Sequence, residues 1–238
     1  YVNAQHEDAA SKERLNWVSQ DAKNPHSAAH YGTYAFKPKY PMSLIDQGVD
    51  KYTGVSIFLE AHARNEAQFI AAQDQTALSR FGDLTPDFIL LFLIPLLIIL
   101  IGFNAITREK ESGTLRLLQS MGVSPIHLAL GKWLGIFIPI VSVVTLIFLL
   151  AAFLLSSLSG FGDFSLSPLM ILYGVLVLYY AVFSNLVLIV SAWAKKANLA
   201  LVILLAVWIV SCLGIPKLTT SLADKLYPYP TQQEFIEA

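Results

Sequence analysis

Hydrophobic positions dominate the chain from about residue 86 to residue 215, where four long apolar runs alternate with short polar segments. Each run carries almost no charge, and roughly 20 such residues, at about 1.5 Å rise each, cross the hydrocarbon core of a bilayer. The pattern therefore predicts transmembrane helices at 86–106, 128–158, 166–193 and 199–215. The second and third exceed one bilayer thickness, so we expect each to tilt or to project into water.

Three of the predicted helices begin next to a hydroxyl residue followed by proline: Thr85-Pro86, Ser124-Pro125 and Ser167-Pro168. The hydroxyl caps the first turn, and proline at the first helical position gives up only an N–H that has no partner. Pro95 and Pro139 lie inside predicted spans. We expect each to kink its helix, with neighbouring helices satisfying the freed carbonyl groups.

The region before the first run is polar and mixed in charge, and we interpret residues 1–85 as a separate, mainly helical domain. Asp8–Gln20 is predicted to be one helix, and Val55–Leu78, rich in Ala, Glu and Gln, one or two more. Residues 216–238 are predicted to begin a second polar segment after the last run. The chain begins at Tyr1 in mid-pattern, so we expect further sequence on both sides of it.

The basic residues of the short connections predict the orientation in the membrane. Segment 107–127 carries three Lys or Arg residues and the turn at 193–198 carries two, whereas the loop at 159–165 carries none. Because basic loops stay on the cytoplasmic side, the first two connections are predicted to be cytoplasmic and the third external. An even number of spans then places 1–85 and 217–238 outside the cytoplasm.

Composition excludes several classes of protein. Hydrophobic residues make up 55% of the chain and charged residues 14%, against about a quarter charged in an ordinary soluble domain. A net charge of -1 provides no electrostatic footprint for nucleic acid. The single cysteine, Cys212, leaves no disulfide framework and no Cys-based metal site.

The most informative segment follows the first predicted span. The string Ile106–Leu118 reads ITREKESGTLRLL: a charged cluster, a glycine, and a short amphipathic stretch with Leu115, Leu118 and Met121 on one side. That stretch is too short to span a membrane. It is suited to lie on the membrane surface or to insert its apolar side into a partner's groove.

This string, with Pro125 and Gly131-Lys132 after it, resembles the cytoplasmic signature of type-2 ABC transporter permeases. In that family the loop holds a coupling helix that docks on the ATP-binding subunit. The family's permease has six spans, so the four here would be its second to fifth. Lys132 matches the basic residue that opens the next span. The residues to which the resemblance assigns ATPase coupling are Arg108, Glu109, Glu111, Gly113, Thr114, Leu115 and Leu118.

A second resemblance concerns the N-terminal region. The string Asn24–Gly32, followed by Phe36-Lys37-Pro38, is similar to a subgroup of these permeases that carries a sizeable periplasmic insert between the first two spans. The resemblance implies a bacterial inner-membrane protein with 1–85 as that insert. It also implies a second permease copy or a paralogue as partner.

The chain lacks a phosphate-binding loop of its own. Such a loop needs two glycines five apart, followed by Lys and Ser or Thr. Before Gly131-Lys132 the first glycine is replaced by Ile126, and Trp133 occupies the position of the hydroxyl residue. The resemblance therefore implies that ATP and Mg are bound by a partner subunit, with no cofactor bound by this chain.

Candidate metal ligands occur only in the N-terminal region, where His26, His30, Glu60 and His62 are of the residue types that bind zinc or copper. His26 and His30 would share one face of a helix, but Pro25 opposes a continuous helix there. We favour a structural role for these residues in the folding of the insert.

Polar residues at or within the spans are few: Asn104, Asn185 and Ser191. They are suited either to line a substrate path or to bond helices together, and we favour helix packing. No Asp, Glu, Lys or Arg lies deep in a predicted span, which argues against a proton- or ion-coupled carrier. The spans also lack the motifs of an intramembrane enzyme.

The sequence thus predicts an all-α polytopic permease with a mainly helical extracytoplasmic insert, part of an ATP-driven exporter. Its expected partners are an ABC ATP-binding subunit, a second permease and the lipid bilayer. The alternative is a non-transporting machine, in which ATP-driven helix motion acts through the insert on a periplasmic or lipoprotein partner.

Overall fold

The structure of the 238-residue chain is a computed structural model. It describes residues 2–19, 24, 33–37, 40–46, 48, 56–59, 67–68, 85–157 and 164–228. Of these residues 81% are helical, and four long apolar helices are present among them, which confirms the predicted all-α membrane class.

A long helix and a small sheet make up the described part of the region before the first span. Helix α1 is Val2–Ser19. The sheet is antiparallel, in the order β1-β2-β3, and a short 3-10 helix, Pro41–Leu44, lies between β1 and β2 in the chain. The strands are β1 (Thr33–Phe36), β2 (Ser56–Leu59) and β3 (Ala67–Gln68).

Aromatic side chains hold α1 and the sheet together. Tyr34 lies directly opposite Phe58 across the β1-β2 pair, with ring centroids 4.8 Å apart. The ring of Phe36, at the end of β1, stacks on the His6 ring of α1 at 4.8 Å. Directly opposed aromatic pairs are among the stronger cross-strand interactions, so the Tyr34–Phe58 pair favours the observed strand register. The stacked rings of Phe36 and His6 hold α1 against the sheet.

The predicted helix at Asp8–Gln20 is confirmed over residues 8–19, which belong to α1, while Gln20 lies outside the described residues. The predicted helical character of Val55–Leu78 is wrong at the two described segments, 56–59 and 67–68. Ser56–Leu59 contains a β-branched and an aromatic residue, which fit a pleated surface. Cross-strand pairing with β1 outweighs the helix propensity of the Ala- and Glu-rich residues around them.

Four helices of the described chain are long and apolar enough to cross a membrane, as the hydrophobic pattern predicts. The third has the predicted bounds, whereas the second begins at Pro125 rather than residue 128 and the fourth reaches Ala223 rather than residue 215. We call them the first span (Pro86–Glu111), second span (Pro125–Ser157), third span (Leu166–Trp193) and fourth span (Ala197–Ala223).

The predicted cap of the second span is confirmed, because Ser124 Oγ accepts the backbone N–H of His127 at 3.4 Å. The corresponding prediction for the third span is wrong in position. That helix begins at Leu166, so Ser167 and Pro168 lie inside its first turn rather than before it.

Two spans are interrupted by wider, π-helical turns. The first span consists of α2 (Pro86–Phe88), the π-helical segment Ile89–Leu93, α3 (Ile94–Gly102) and, after a turn, α4 (Thr107–Glu111). Helix α5 (Thr114–Ser120) follows, and the second and third spans are the uninterrupted helices α6 (Pro125–Ser157) and α7 (Leu166–Trp193). The fourth span comprises α8 (Ala197–Trp208), the π-helical segment Ile209–Gly214 and the start of α9 (Ile215–Leu226).

The chain divides into two compact units. One contains residues 1–88 and 146–173, and the other contains residues 89–145 and 174–238. In the second unit one face of the third span is buried at intervals of three and four residues, the spacing of one side of a helix. The buried residues on that face are Leu176, Tyr180, Phe183, Val187 and Ser191.

Gly102 lies where the first span closely approaches the second and third spans. A Cβ atom at Gly102 would lie 2.5 Å from Val187 Cγ1 and 2.8 Å from Ile136 Cδ1. Both distances are below van der Waals contact, so the first span lies against the second and third spans here only because residue 102 has no side chain. Val187 is β-branched and has little freedom to turn away.

Replacing Gly102 with alanine is therefore expected to lower the free energy of unfolding by about 1–3 kcal/mol through overpacking. Thermal unfolding of the purified protein in one detergent measures the effect. Gly174→Ala is the matched control, because Gly174 lies in the third span with open space around its Cβ position. An unchanged melting temperature for Gly102→Ala would show that its neighbours relax without cost.

Candidate functional site

The charged cluster at the end of the first span forms α4, which is joined to the short helix α5 through Ser112 and Gly113. Gly113 has φ 77°, in the left-handed region, where an L side chain would be strained by about 1–2 kcal/mol. The hydroxyl groups of Ser112 and Thr114 lie 2.8 Å apart across the glycine. The turn between α4 and α5 thus depends on a residue without a Cβ at position 113.

The N-terminus of α4 is capped by a side chain from another helix. Ser191 Oγ, in the last turn of α7, accepts the backbone N–H groups of Ile106 at 3.0 Å and of Thr107 at 3.2 Å. Ser191 and Thr107 are fully buried. The first N–H groups of a helix have no partner within it, so this hydroxyl both satisfies them and fixes α4 to the third span.

The C-terminal end of α4 caps a third helix. Glu111 Oε1 accepts the backbone N–H of Ala197, the first residue of α8, at 3.0 Å. The N-cap residue of α8, Lys196, makes no side-chain capping bond of its own. The Glu111 carboxylate therefore replaces the missing cap, and its negative charge lies at the positive end of the α8 dipole.

Lys110 completes the contacts of α4 with the turn between the third and fourth spans. Its ammonium group donates a hydrogen bond to the backbone carbonyl of Ala192, at the C-terminus of α7. A cation is favourable there, because the last carbonyl groups of a helix lack partners and carry partial negative charge. We call the contacts made by Ser191, Lys110 and Glu111 the latch.

A salt bridge connects α4 to the second span. The Glu109 carboxylate pairs with the Lys132 ammonium group in α6, and the two side chains are 19% and 32% exposed. Solvent and salt screen the attraction of an ion pair this well shielded less than that of a pair on the open surface. Through its successive residues 109, 110 and 111, α4 is thus bonded to the second, third and fourth spans.

Helix α5 carries apolar side chains that the described chain does not cover. Leu117 is 60% exposed and Met121, one turn later, is 72% exposed. We call this pair the apolar patch. The other two leucines of the helix, Leu115 and Leu118, are half-buried instead. An exposed pair of large apolar side chains beside the latch is the kind of surface that a partner or a membrane covers.

A model of the family described as "ABC-2 family transporter protein" matches residues 6–236. The match covers nearly the whole chain. The chain belongs to the ABC-2 transporter family. It is a multi-pass membrane protein and a permease component of an ABC transporter, and the family implies an ATP-binding partner. No curated protein matches the chain.

In this ABC-2 permease the residues predicted for ATPase coupling differ in their surroundings. Glu109 and Glu111 bond to other spans. Gly113 lies in the turn between α4 and α5, and Thr114 is the first residue of α5. Arg108 is exposed, while the two predicted leucines, Leu115 and Leu118, are half-buried. The two acidic members of the predicted set thus bond to other spans of this chain.

Sequence reasoning missed several residues of this site: Lys110, Leu117 and the partner atoms of Ala192 and Ala197. The basic character of Lys110 was used only to orient the chain. Leu117 could have been found, since it lies four residues before Met121, which the pattern had placed on the apolar side. The two alanines act through their backbone and leave no sequence signal.

Two of the three polar residues predicted at or within the spans make hydrogen bonds to backbone groups. Ser191 joins helices, in agreement with the predicted packing role. The Asn185 amide donates to Ala181 O, one turn back in the same helix, at 2.9 Å. The metal-ligand candidates His26, His30 and His62 lie outside the described residues. Among the residues that are described, no three ligand side chains form a group able to hold a metal.

Proposed function

We propose that this ABC-2 permease is the membrane subunit of an ATP-driven exporter in a bacterial inner membrane. Its ATPase subunit would dock on α5 and cover the apolar patch. The observation that carries the proposal is that the patch is directly joined to the latch, which bonds α4 to the ends of the third and fourth spans. ATP and Mg would be bound by the ATPase subunit, and this chain would supply the moving helices.

The latch supports a direct route for mechanical coupling. Only Ser112 and Gly113 separate α5 from α4, so a displacement of α5 would pull on α4 through two residues of backbone. Helix α4 is held by hydrogen bonds at both of its ends. The displacement would then reach the third and fourth spans through bonds rather than through lipid-facing apolar contacts.

The distribution of basic side chains supports a cytoplasmic position for the latch. Lys110 belongs to the latch, and Lys132 pairs with Glu109 of the same helix, α4. Lys195 and Lys196 are exposed in the adjoining turn. Basic residues at one end of several spans favour the cytoplasmic side. With that orientation α1 and its sheet belong to the extracytoplasmic insert. A second permease copy or paralogue would complete the translocation path.

The proposal is tested by purifying the full-length permease from native membranes and identifying what accompanies it. An ABC ATPase subunit in stoichiometric amount, with vanadate-sensitive ATP hydrolysis, is the expected result. Absence of any nucleotide-binding protein, in several detergents and in lipid nanodiscs, would contradict it. An ATPase that binds and turns over, in a complex that moves no compound from a broad substrate panel, would instead favour the non-transporting alternative.

A further inference from the structure

Three consecutive carbonyl groups of the first span, at residues 90–92, accept hydrogen bonds from aromatic side chains of other spans. All three belong to the π-helical segment Ile89–Leu93. Two of the donors lie on the third span and one lies on the fourth. The bonds are Tyr180 Oη to Leu90 O at 3.0 Å, Tyr179 Oη to Leu91 O at 3.0 Å and Trp208 Nε1 to Phe92 O at 3.1 Å.

Proline explains why one of these carbonyl groups needs an outside donor. Pro95 has no N–H, so Leu91, four residues earlier, cannot receive its α-helical hydrogen bond. The Tyr179 hydroxyl supplies that bond instead, which confirms the expectation that a neighbouring helix satisfies the carbonyl freed by Pro95. The π-helical segment of the fourth span is likewise followed at its second residue by a proline, Pro216.

The environment makes these bonds difficult to exchange. Within the hydrocarbon core no water replaces a lost partner, so a backbone carbonyl has to be satisfied by the protein itself. Tyr180 is fully buried, and Pro95, beside the acceptors, is buried as well. The backbone geometry at 90–92 is therefore set by the third and fourth spans and not by the first span alone. We call the three donors the aromatic clip.

The clip and the latch bond the first span to the same two partners, at two points along its length. The latch bonds residues 106–111 to the end of the third span and the start of the fourth. The clip bonds 90–92 to the third span through Tyr179 and Tyr180 and to the fourth through Trp208. Between them Gly102 seats the first span against Val187 of the third.

We propose that Tyr179, Tyr180 and Trp208 are positioning residues that fix the far end of the first span to the third and fourth spans, so that these three spans move as one body. The inference rests on the proposed function in one respect, because the ATPase acting on α5 is taken as the source of the motion. The clip itself is a property of the permease and is testable without an ATPase.

Cys212 serves as a built-in reporter. It is the single cysteine of the printed sequence, it is 8% exposed, and its sulfur lies 3.7 Å from Tyr179 Oη. We choose Tyr180→Phe and Trp208→Phe, because each removes a donor to the first span without touching the thiol. In nanodiscs both variants are expected to raise the rate at which N-ethylmaleimide alkylates Cys212 at least threefold. Peptide mass spectrometry measures that rate. Unchanged rates would overturn the clip.

Matched controls separate positioning from general loosening. Tyr227→Phe and Trp193→Phe make the same chemical changes at side chains that are 78% and 77% exposed, and they are expected to leave alkylation at the wild-type rate. Leu155→Ala removes a buried side chain of the second span, which takes no part in the clip, and is expected to lower the melting temperature while leaving Cys212 protected. If Leu155→Ala exposes Cys212 as much as the clip variants do, the side chains have no positioning role.

The one-body movement is tested on the wild-type complex with its ATPase. The Cys212 alkylation rate in the nucleotide-free state and after vanadate trapping is expected to agree within twofold. A rise on trapping to the rate of Trp208→Phe would show that the clip opens during the cycle and would overturn the proposal. If no ATPase accompanies the permease, the proposed function fails, and the comparison of resting variants still decides the clip.

Discussion

Replacing Leu117 with aspartate is expected to release the ATPase subunit from the permease. Leu117 is 60% exposed on α5 and lies one turn before Met121, with which it forms the apolar patch. A partner that covers this patch would bury the new carboxylate in an apolar contact. Losses at residues that carry such a contact are about 2 kcal/mol or more, roughly 30-fold in affinity. Pull-down of the full-length permease with quantification of the bound ATPase measures the loss.

The control for this variant is Gln119→Asp. Gln119 is exposed on the same helix, between the two residues of the patch in sequence but off their side. It introduces the same charge on the same helix but outside the apolar patch, so it is expected to retain the ATPase. Equal loss in both variants would indicate a general electrostatic effect on α5 rather than an apolar contact at Leu117.

Changes at Glu111 are expected to loosen the first turn of the fourth span in a graded order. Glu111→Gln keeps an acceptor oxygen for the Ala197 N–H but loses the charge, so its effect is the smallest. Glu111→Ala removes the cap, at a cost of about 0.5–2 kcal/mol, and speeds amide exchange there by roughly 2- to 30-fold. Glu111→Arg also places a positive charge at the positive end of the α8 dipole, and its effect is the largest.

Hydrogen exchange of the peptide containing residues 195–200, measured in nanodiscs, reports this order. Glu7→Ala, at an exposed position on α1, is the matched control and is expected to leave the peptide unchanged. If the three Glu111 variants exchange at the wild-type rate, the carboxylate does not cap α8, and the latch is reduced to Ser191 and Lys110.

The number and the type of the spans could be predicted from the sequence, because long runs without charge have few stable alternatives in a membrane. The third span has the predicted bounds, and Ser124 caps the second as its position before Pro125 indicated. The small sheet was not predicted. Strand β2 pairs with Tyr34 and Phe36, twenty or more residues earlier in the chain, and local composition does not report such a pairing.

The sequence singled out the segment that forms α4 and α5, whereas the contacts of each residue in it could not be predicted. The string Ile106–Leu118 stood out by charge and amphipathicity, and the structure folds it into α4 and α5. Glu111 and Ser191 are 80 residues apart, and their shared task of capping helix ends requires the tertiary arrangement. Likewise Pro95 predicted an irregular turn, whereas the donors that satisfy it come from spans that only packing brings together.

Contact between an ATPase subunit and the apolar patch of α5 can be detected by site-specific photo-crosslinking in native membranes. Benzoylphenylalanine replaces Met121, which is 72% exposed, or Tyr227, which is 78% exposed at the end of α9. We expect an ATPase cross-link from position 121 and none from position 227. A cross-link from position 227, or none from position 121 in a complex that contains the ATPase, would contradict the proposed contact.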